Sequence, residues 1–292
     1  MNGIVLIDKP SGCTSHDVVN RWRRLAKTKR AGHLGTLDPM ATGLLVLVTG
    51  TATRLAQFFG TNDKTYEAEI GLGFVSDTFD ADGNVTATNR PVPAPEDIIE
   101  ALGGFRGVIM QVPPPVSAKK IGGIPAYKLA RKQQPVLLTP VEVEVKQLDL
   151  REIAGETVRF TITCSAGTYI RGIAHDLGEK LGCGALITSL RRTRSGEFNV
   201  EDSWTFEQLE RLSASASIEE AVIPSAKLLP AFPCVHVDDI GEMRIRQGRE
   251  FRASPFAVRL GAPFVKVVSS SGDLIAIGQL KFPNVYHPMM VL

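Results

Sequence analysis

The sequence predicts a mixed α/β chain in two parts. Segments of strand alternation, such as Thr65 to Ile70 and Val158 to Cys164, are interleaved with segments of helical spacing, such as Val18 to Ala26 and Tyr169 to Leu181. After Leu212 the composition turns Ser/Ala/Glu-rich (Ser213 to Glu220) and then proline-punctuated at Pro224, Pro230 and Pro233. That shift divides a first part, residues 1–230, from a short second part, residues 232–292. A length of 292 residues suits two domains. A content of 43% hydrophobic and 22% charged residues excludes the disordered and collagenous classes.

Taken in order, Ile4 to Ile7 reads as a short buried strand stopped by Lys9-Pro10-Ser11-Gly12, and Thr14 or Ser15 offers an N-cap to a following helix. In that helix Val18, Val19, Trp22, Leu25 and Ala26 recur at helical spacing, with Arg21, Arg23, Arg24 and Lys27 around the rest of the cylinder. Gly32 to Pro39 lacks either period and reads as a loop. Leu44 to Val48 is an apolar central strand and Thr53 to Phe59 a short helix. Along Thr65 to Ile70, Tyr66, Ala68 and Ile70 face one way and Glu67 and Glu69 the other. The acidic stretch Asp77 to Asn89 reads as an exposed loop, Pro95 to Leu102 as a helix, and Val108 to Val112 as a strand ended by three prolines. Ser117 to Gln134 carries Lys119, Lys120, Lys128, Arg131 and Lys132 with no acid, and reads as a protruding arm, at about 115–140, with a short helix near Ala126 to Lys132. Thr139 to Leu150 and Val158 to Cys164 alternate as strands, Tyr169 to Leu181 is a helix stopped by Gly182, and Leu186 to Arg194 is a further strand. The second part contains short β-like runs at Phe264 to Val268 and Leu274 to Ile277.

Much common chemistry lacks its signature. There is no GxGxxG after a strand, no GxxxxGK[ST], no HExxH and no GxSxG. The four cysteines form no CxxC pair and the five histidines are dispersed, so neither a disulfide framework nor a metal cluster is expected. No cofactor is expected. The N-terminal apolar run is too short and wrongly flanked for a signal peptide, and no stretch approaches the roughly 20 apolar residues of a membrane span, so a cytoplasmic protein is expected.

The informative segment is Gly32 to Gly43, where Asp38 sits among three glycines and a proline just before an apolar strand. Such a loop can aim a carboxylate into a cleft, although an aspartate before proline is also a routine turn residue. This segment resembles the catalytic motif of the TruB family of tRNA pseudouridine synthases. Three further segments resemble the same family in the same order: Gly3 to Ser15, Lys64 to Ala68, and Gly167 to Gly178. The likeness covers residues 1 to 230 well and the last sixty or so only loosely. Leu34 departs from it, standing where a small residue such as threonine is expected.

The resemblance implies an enzyme that isomerises uridine-55 in the T loop of tRNA, on a largely antiparallel sheet, without cofactor or metal and as a monomer. It implies Asp38 as nucleophile, Arg171 as its ion-pair partner, Tyr66 stacked on the extruded base near C5, and Leu190 lining the pocket. By itself Arg171 could be a surface helix arginine, Tyr66 a half-buried strand tyrosine and Leu190 a core leucine. Lys64, on the same strand face as Tyr66, could meet a phosphate, though solvated strand lysines are commoner. His33 would hold the RNA loop open or fill the gap left by the flipped nucleotide, since a base inside structured RNA must first leave the stack. The cationic arm matches the family's thumb insertion, and its charges suit phosphate contacts. The second part stands in place of a PUA-like RNA-binding module, with Arg244, Arg246, Arg249 and Arg252 suited to the acceptor-stem end of tRNA.

Two other readings compete: a tRNA-binding or RNA-folding protein without catalysis, and a pseudouridine synthase acting on another RNA. A glycosidase-type carboxylate pair lacks a second acid in a comparable motif. The net charge of +2 conceals segregation. Arg21 to His33 and Ser117 to Gln134 are basic and without acid, whereas Ser76 to Ala101 and Glu201 to Glu220 are acidic, which predicts one RNA-facing side.

Overall fold

A computed structural model describes residues 1–117, 138–254, 258 and 261–292, together with the backbone of 120–121 and 124–125. The predicted helix at Ala126 to Lys132, and Lys119, Lys128, Arg131 and Lys132 with it, lie outside the described residues, as does the side chain of Lys120.

The N-terminal apolar run forms β1 (Gly3–Lys9), and Thr14 caps α1 (Ser15–Leu25) through a capping box with Asp17. The loop expected from Gly32 begins one element later: β2 (Ala31–His33) pairs with β3 (Thr42–Thr49), Gly32 opposite Val48. The β3 edge offers unpaired backbone groups there, which overrides the weak propensity of Ala-Gly-His. The helix expected at Thr53 to Phe59 is a 3-10 helix over Gly50–Phe58. β4 (Lys64–Leu72) has the predicted alternation, with Tyr66, Ala68 and Ile70 buried. The acidic stretch after it is less uniform than expected, because it contributes β6 (Thr86–Ala87), paired with β5 (Phe74–Val75), and it buries Asp80.

α2 (Pro95–Gly103) leads into β7 (Gly107–Gln111), and a small hairpin of β8 (Lys120–Ile121) and β9 (Ile124–Pro125) follows. β10 (Val141–Ala154) and β11 (Thr157–Cys164) pair antiparallel. α3 (Ile170–Leu181) ends at Gly182, whose φ of 72° is the left-handed stop that glycine accepts freely. β12 (Ala185–Ser195), β13 (Phe198–Asn199), α4 (Phe206–Ala214) and β14 (Ile223–Pro224) complete the first part.

These strands make a ten-stranded sheet of order β14-β1-β3-β12-β4-β11-β10-β7, with β13 and β2 branching from β12 and β3. Its pairings are antiparallel except for β12 beside β3, which meet only at Thr42 and Gly43. Gly43 is required there: at φ 93°, a Cβ would lie 2.3 Å from the Arg192 carbonyl oxygen. α1 to α4 lie on one face over an apolar cluster containing Val5, Ile7, Trp22, Tyr66, Ile70, Phe160, Ile173 and Leu177. Close packing of α3 on the sheet depends on Gly178, where a Cβ would come within 2.1 Å of the Ala185 nitrogen.

After Cys234 a second sheet forms from β15 (Cys234–His236), β16 (Phe251–Arg252), β17 (Phe264–Val268), β18 (Leu274–Phe282) and β19 (Val285–Val291), in the order β15-β17-β18-β19-β16. α5 (Asp239–Arg246), unforeseen from the sequence, packs against it under an Asp238 cap. Ile4, Leu6, Leu44, Val46 and Val48, on the face of the first sheet opposite the helices, share a cluster with Val268, Leu274, Ile277 and Met290 of the second.

Candidate active site

The loop after β2 is held from below. Ser15 Oγ donates to the Leu37 carbonyl (3.0 Å) and accepts from the Leu37 N–H (2.9 Å), tying the loop to the first turn of α1. Lys9, fully buried at the end of β1, donates from Nζ to the carbonyls of Pro10 (3.0 Å), Pro39 (3.1 Å) and Ala41 (2.6 Å). The Arg192 guanidinium, buried in β12, reaches the carbonyls of Leu44 (2.8 Å) and Gly35 (3.1 Å). An otherwise irregular segment thus has its carbonyls met by buried cations on two neighbouring strands, which aims Asp38 without regular structure of its own.

Asp38 faces Arg171 of α3. Arg171 Nη2 donates to Oδ1 at 3.1 Å, and Nε lies 2.9 Å from Oδ2, off the line of a straight hydrogen bond. The guanidinium is buried, and its two terminal nitrogens are engaged elsewhere as well: Nη1 donates to the Thr78 carbonyl at 2.7 Å and lies 3.2 Å from Asp80 Oδ2, while Nη2 also donates to the Val116 carbonyl at 3.0 Å. Burial pushes the Asp38 carboxyl above the ordinary carboxylate value, with the nearby Asp80 charge adding to the rise, and the Arg171 guanidinium offsets part of it. The pairing therefore moderates the cost of a partly buried carboxylate without abolishing it.

Around Asp38 lies a pocket lined by Tyr66, Tyr169, Leu190, Lys64 and Ser117. Burial raises both tyrosine hydroxyls above their usual value, so both rings stay neutral. Lys64 differs from the solvated lysine that strand statistics favour: it is buried, donates to the Asn62 carbonyl at 2.6 Å, and its pKa is lowered by burial and then by Arg192. The structure thus brings together Asp38, Arg171, Tyr66, Lys64 and Leu190 and leaves His33 outside the lining. His33 sits at the end of β2, its Nδ1 buried without a hydrogen-bond partner among the described residues. Burial and then Arg192 lower its pKa, so the imidazole is neutral near pH 7.

Sequence reasoning missed Asp80, Tyr169 and Gln111. Asp80 hides in a stretch of similar acids, and periodicity does not mark which one turns inward. The trace it leaves is Phe79, a large apolar residue in a polar loop. Gln111, fully buried at the end of β7, clasps the backbone of Tyr169 with both ends of its amide, each at 2.8 Å. Of the predicted basic surfaces, Arg21 is committed to Glu210 at 2.6 Å and lies over the Phe206 ring, and Arg246 to Glu242 at 2.8 Å, while Arg244, Arg249 and Arg252 are exposed.

In overall architecture, a chain of a Cbf5–Nop10–Gar1 complex matches this one with a TM-score of 0.72 at 27% identity, over 99% of this chain and 84% of that one. A chain of an H/ACA ribonucleoprotein bound to a substrate RNA containing 2′-deoxyuridine shares the fold, with a TM-score of 0.70 at 24% identity over 99% and 84%. The fold is shared with these chains, and family models and relatives of known activity define the class, a pseudouridine synthase. The profile of the TruB family pseudouridylate synthase N-terminal domain matches residues 23–170, and that of the tRNA pseudouridylate synthase B C-terminal domain matches residues 171–230. A tRNA pseudouridine synthase B of Solibacter usitatus is 50% identical over the full length of both chains, and one of Pseudomonas syringae 40% identical over 96% of this chain and 92% of its own. The chain belongs to the TruB family of pseudouridylate synthases.

Proposed function

We propose that this enzyme converts uridine to pseudouridine at position 55 in the T loop of tRNA, with Asp38 as the nucleophile on a flipped-out nucleotide. The observation that carries the reading is a partly buried carboxylate paired with a buried guanidinium that neighbouring elements hold in place, in a pocket lined by two tyrosines and a leucine. Asp38 attacks the uracil ring or ribose C1′; the C1′–N1 bond breaks, the base turns, C5 bonds to C1′, the C5 proton leaves and N1, released from the sugar, takes up a proton, so that the product is an isomer of the substrate and Asp38 is regenerated. Arg171 holds Asp38 ionised at the moment of attack, and its other bonds prevent it from following the carboxylate. Tyr66 presents its face to the base beside C5. Lys64 and Leu190 bound the same space, Lys64 supplying positive charge toward the incoming nucleotide.

Outside the pocket, His33 supports the opened RNA loop as a neutral ring. Lys119, Lys120, Lys128, Arg131 and Lys132 meet phosphates, and residues 232–292 act as a PUA-like module toward the acceptor stem through Arg244, Arg249 and Arg252. The enzyme then works where tRNA matures, in the cytoplasm. Tritium release from tRNA carrying 5-tritiated uridine tests the reaction, and a transcript with uridine-55 replaced tests the position. Undiminished release from the replaced transcript would mean that another uridine or another RNA is the target. Asp38→Asn should lower release by at least about 10³-fold while tRNA binding persists; retained turnover would remove the nucleophile role.

A further inference from the structure

The loop that carries Asp80 contains a backbone conformation that needs an explanation. Phe79 has φ 65°, in the left-handed region where a side chain with a Cβ is strained. Its ring lies flat on the imidazole of His175, with centroids 3.9 Å apart and planes 3° from parallel. His175 is one turn beyond Arg171 on α3, so both side chains project from one helix face toward this loop. Arg171 takes the Thr78 carbonyl and the Asp80 carboxylate, and His175 takes the residue between them.

The consequence of the left-handed turn is the direction of Asp80. Backbone bonds from Ile187 N–H to the Phe79 carbonyl (3.1 Å) and from Ala81 N–H to the Ile187 carbonyl (2.9 Å) lay the loop along β12. Between them, Asp80 points inward, accepting from Thr78 Oγ1 at 2.6 Å and facing Arg171. An ordinary right-handed φ at residue 79 would change the direction of the chain at that point and carry the carboxylate off the guanidinium. We propose that the Phe79–His175 stack is a positioning device: it holds residue 79 in the left-handed conformation that aims Asp80 at Arg171, and through Arg171 fixes the orientation of Asp38. Neither ring lines the substrate pocket, so the stack acts through the contacts its loop makes with Arg171, chiefly the Asp80 carboxylate.

This inference rests on the pocket being the catalytic site, and the test separates the two claims. Phe79→Ala and Phe79→Gly both delete the ring, but only glycine takes a positive φ without strain. With kcat and KM for tRNA measured by tritium release, Phe79→Ala should lose about tenfold in kcat with little change in KM, and Phe79→Gly should be several-fold more active than Phe79→Ala. His175→Ala should lose kcat in the same way, and His175→Phe, which restores a flat ring, should recover it. Adding Phe79→Gly to His175→Ala should also restore most of the loss. In an Asp80→Asn background, His175→Ala should lose most of its effect on kcat, an outcome that a merely stabilising contact would not produce. Equal kcat for Phe79→Ala and Phe79→Gly in folded protein, or an undiminished His175→Ala effect beside Asp80→Asn, would overturn the proposal. Retained turnover in Asp38→Asn would overturn the site reading instead, and if His175→Ala fails to fold, the Phe79 pair alone decides.

Discussion

Asp38 is pulled two ways, by burial toward its neutral form and by Arg171 toward its charged one, and the net effect lies above the ordinary value of 3.8. A nucleophile must be ionised, so kcat should fall as the pH drops through a value higher than that of a free aspartate. A rate profile flat down to pH 4 would contradict this. The same shift bears on stability with the opposite sense. A carboxyl with a raised pKa in the folded state binds its proton more tightly there than when unfolded, so its contribution to stability is greatest below 3.8 and is lost as pH rises through the folded pKa. At pH 7 the ionised group is therefore a net cost of folding, and Arg171 retains the Thr78 and Val116 carbonyls and Asp80 without it. Asp38→Asn should accordingly melt at a higher temperature than the native chain at pH 7, with the difference shrinking toward pH 4. A lower melting temperature at pH 7 would show that the ion pair outweighs the desolvation.

α3 has no side-chain cap of its own, because the residue at its N-cap is Tyr169. The backbone N–H and carbonyl of Tyr169 are met instead by Gln111, from a strand 58 positions earlier in the chain. The clasp sits two residues before Arg171, where a small shift of the first turn would move the guanidinium off Asp38. Gln111→Leu removes both bonds and leaves the Tyr169 N–H without its partner, while the Tyr169 carbonyl keeps the Ile173 N–H at 3.2 Å. It should cost about 1–3 kcal/mol in urea unfolding and lower kcat more than it raises KM; a raised KM with kcat unchanged would place its effect on binding rather than geometry. Such long-range clasps explain what could and could not be read from the residues. β3, β4 and α3 were legible because each buries a regular apolar face, and Asp38 because its loop stands in a recognisable motif. Asp80 and Gln111 were not, because a single polar side chain turned inward disturbs no period, and its partner is set by tertiary contact. The sequence of β2 looks like loop for a related reason: its pairing comes from the edge of β3, not from its own three residues.

The two parts touch through apolar side chains and also through polar bonds: the buried Lys266 of β17 donates to the carbonyls of Ala226 (2.9 Å) and Leu228 (2.8 Å), and Arg54 donates to the Val291 carbonyl of β19. On one face of β1 and β3, Ile4, Leu6, Leu44, Val46 and Val48 share a buried cluster with Val268, Leu274, Ile277 and Met290 of the second sheet and with Ala52, Leu55, Phe59, Leu228 and Leu229 of the first part. The division near residue 230 that proline and serine content predicts is therefore a division of chain, with an apolar cluster common to both sides. An appendage tethered by a linker would melt by itself and leave the first part intact; units sharing a core should unfold together. Ile277, fully buried on β18, provides the probe. Ile277→Ala should cost about 2–5 kcal/mol, as for other large-to-small changes in a core, and should shift a single calorimetric transition to lower temperature, together with the loss of pseudouridine synthase activity. Two transitions, of which only the smaller moves while activity survives between them, would show that the second sheet is energetically separate from the part that carries Asp38.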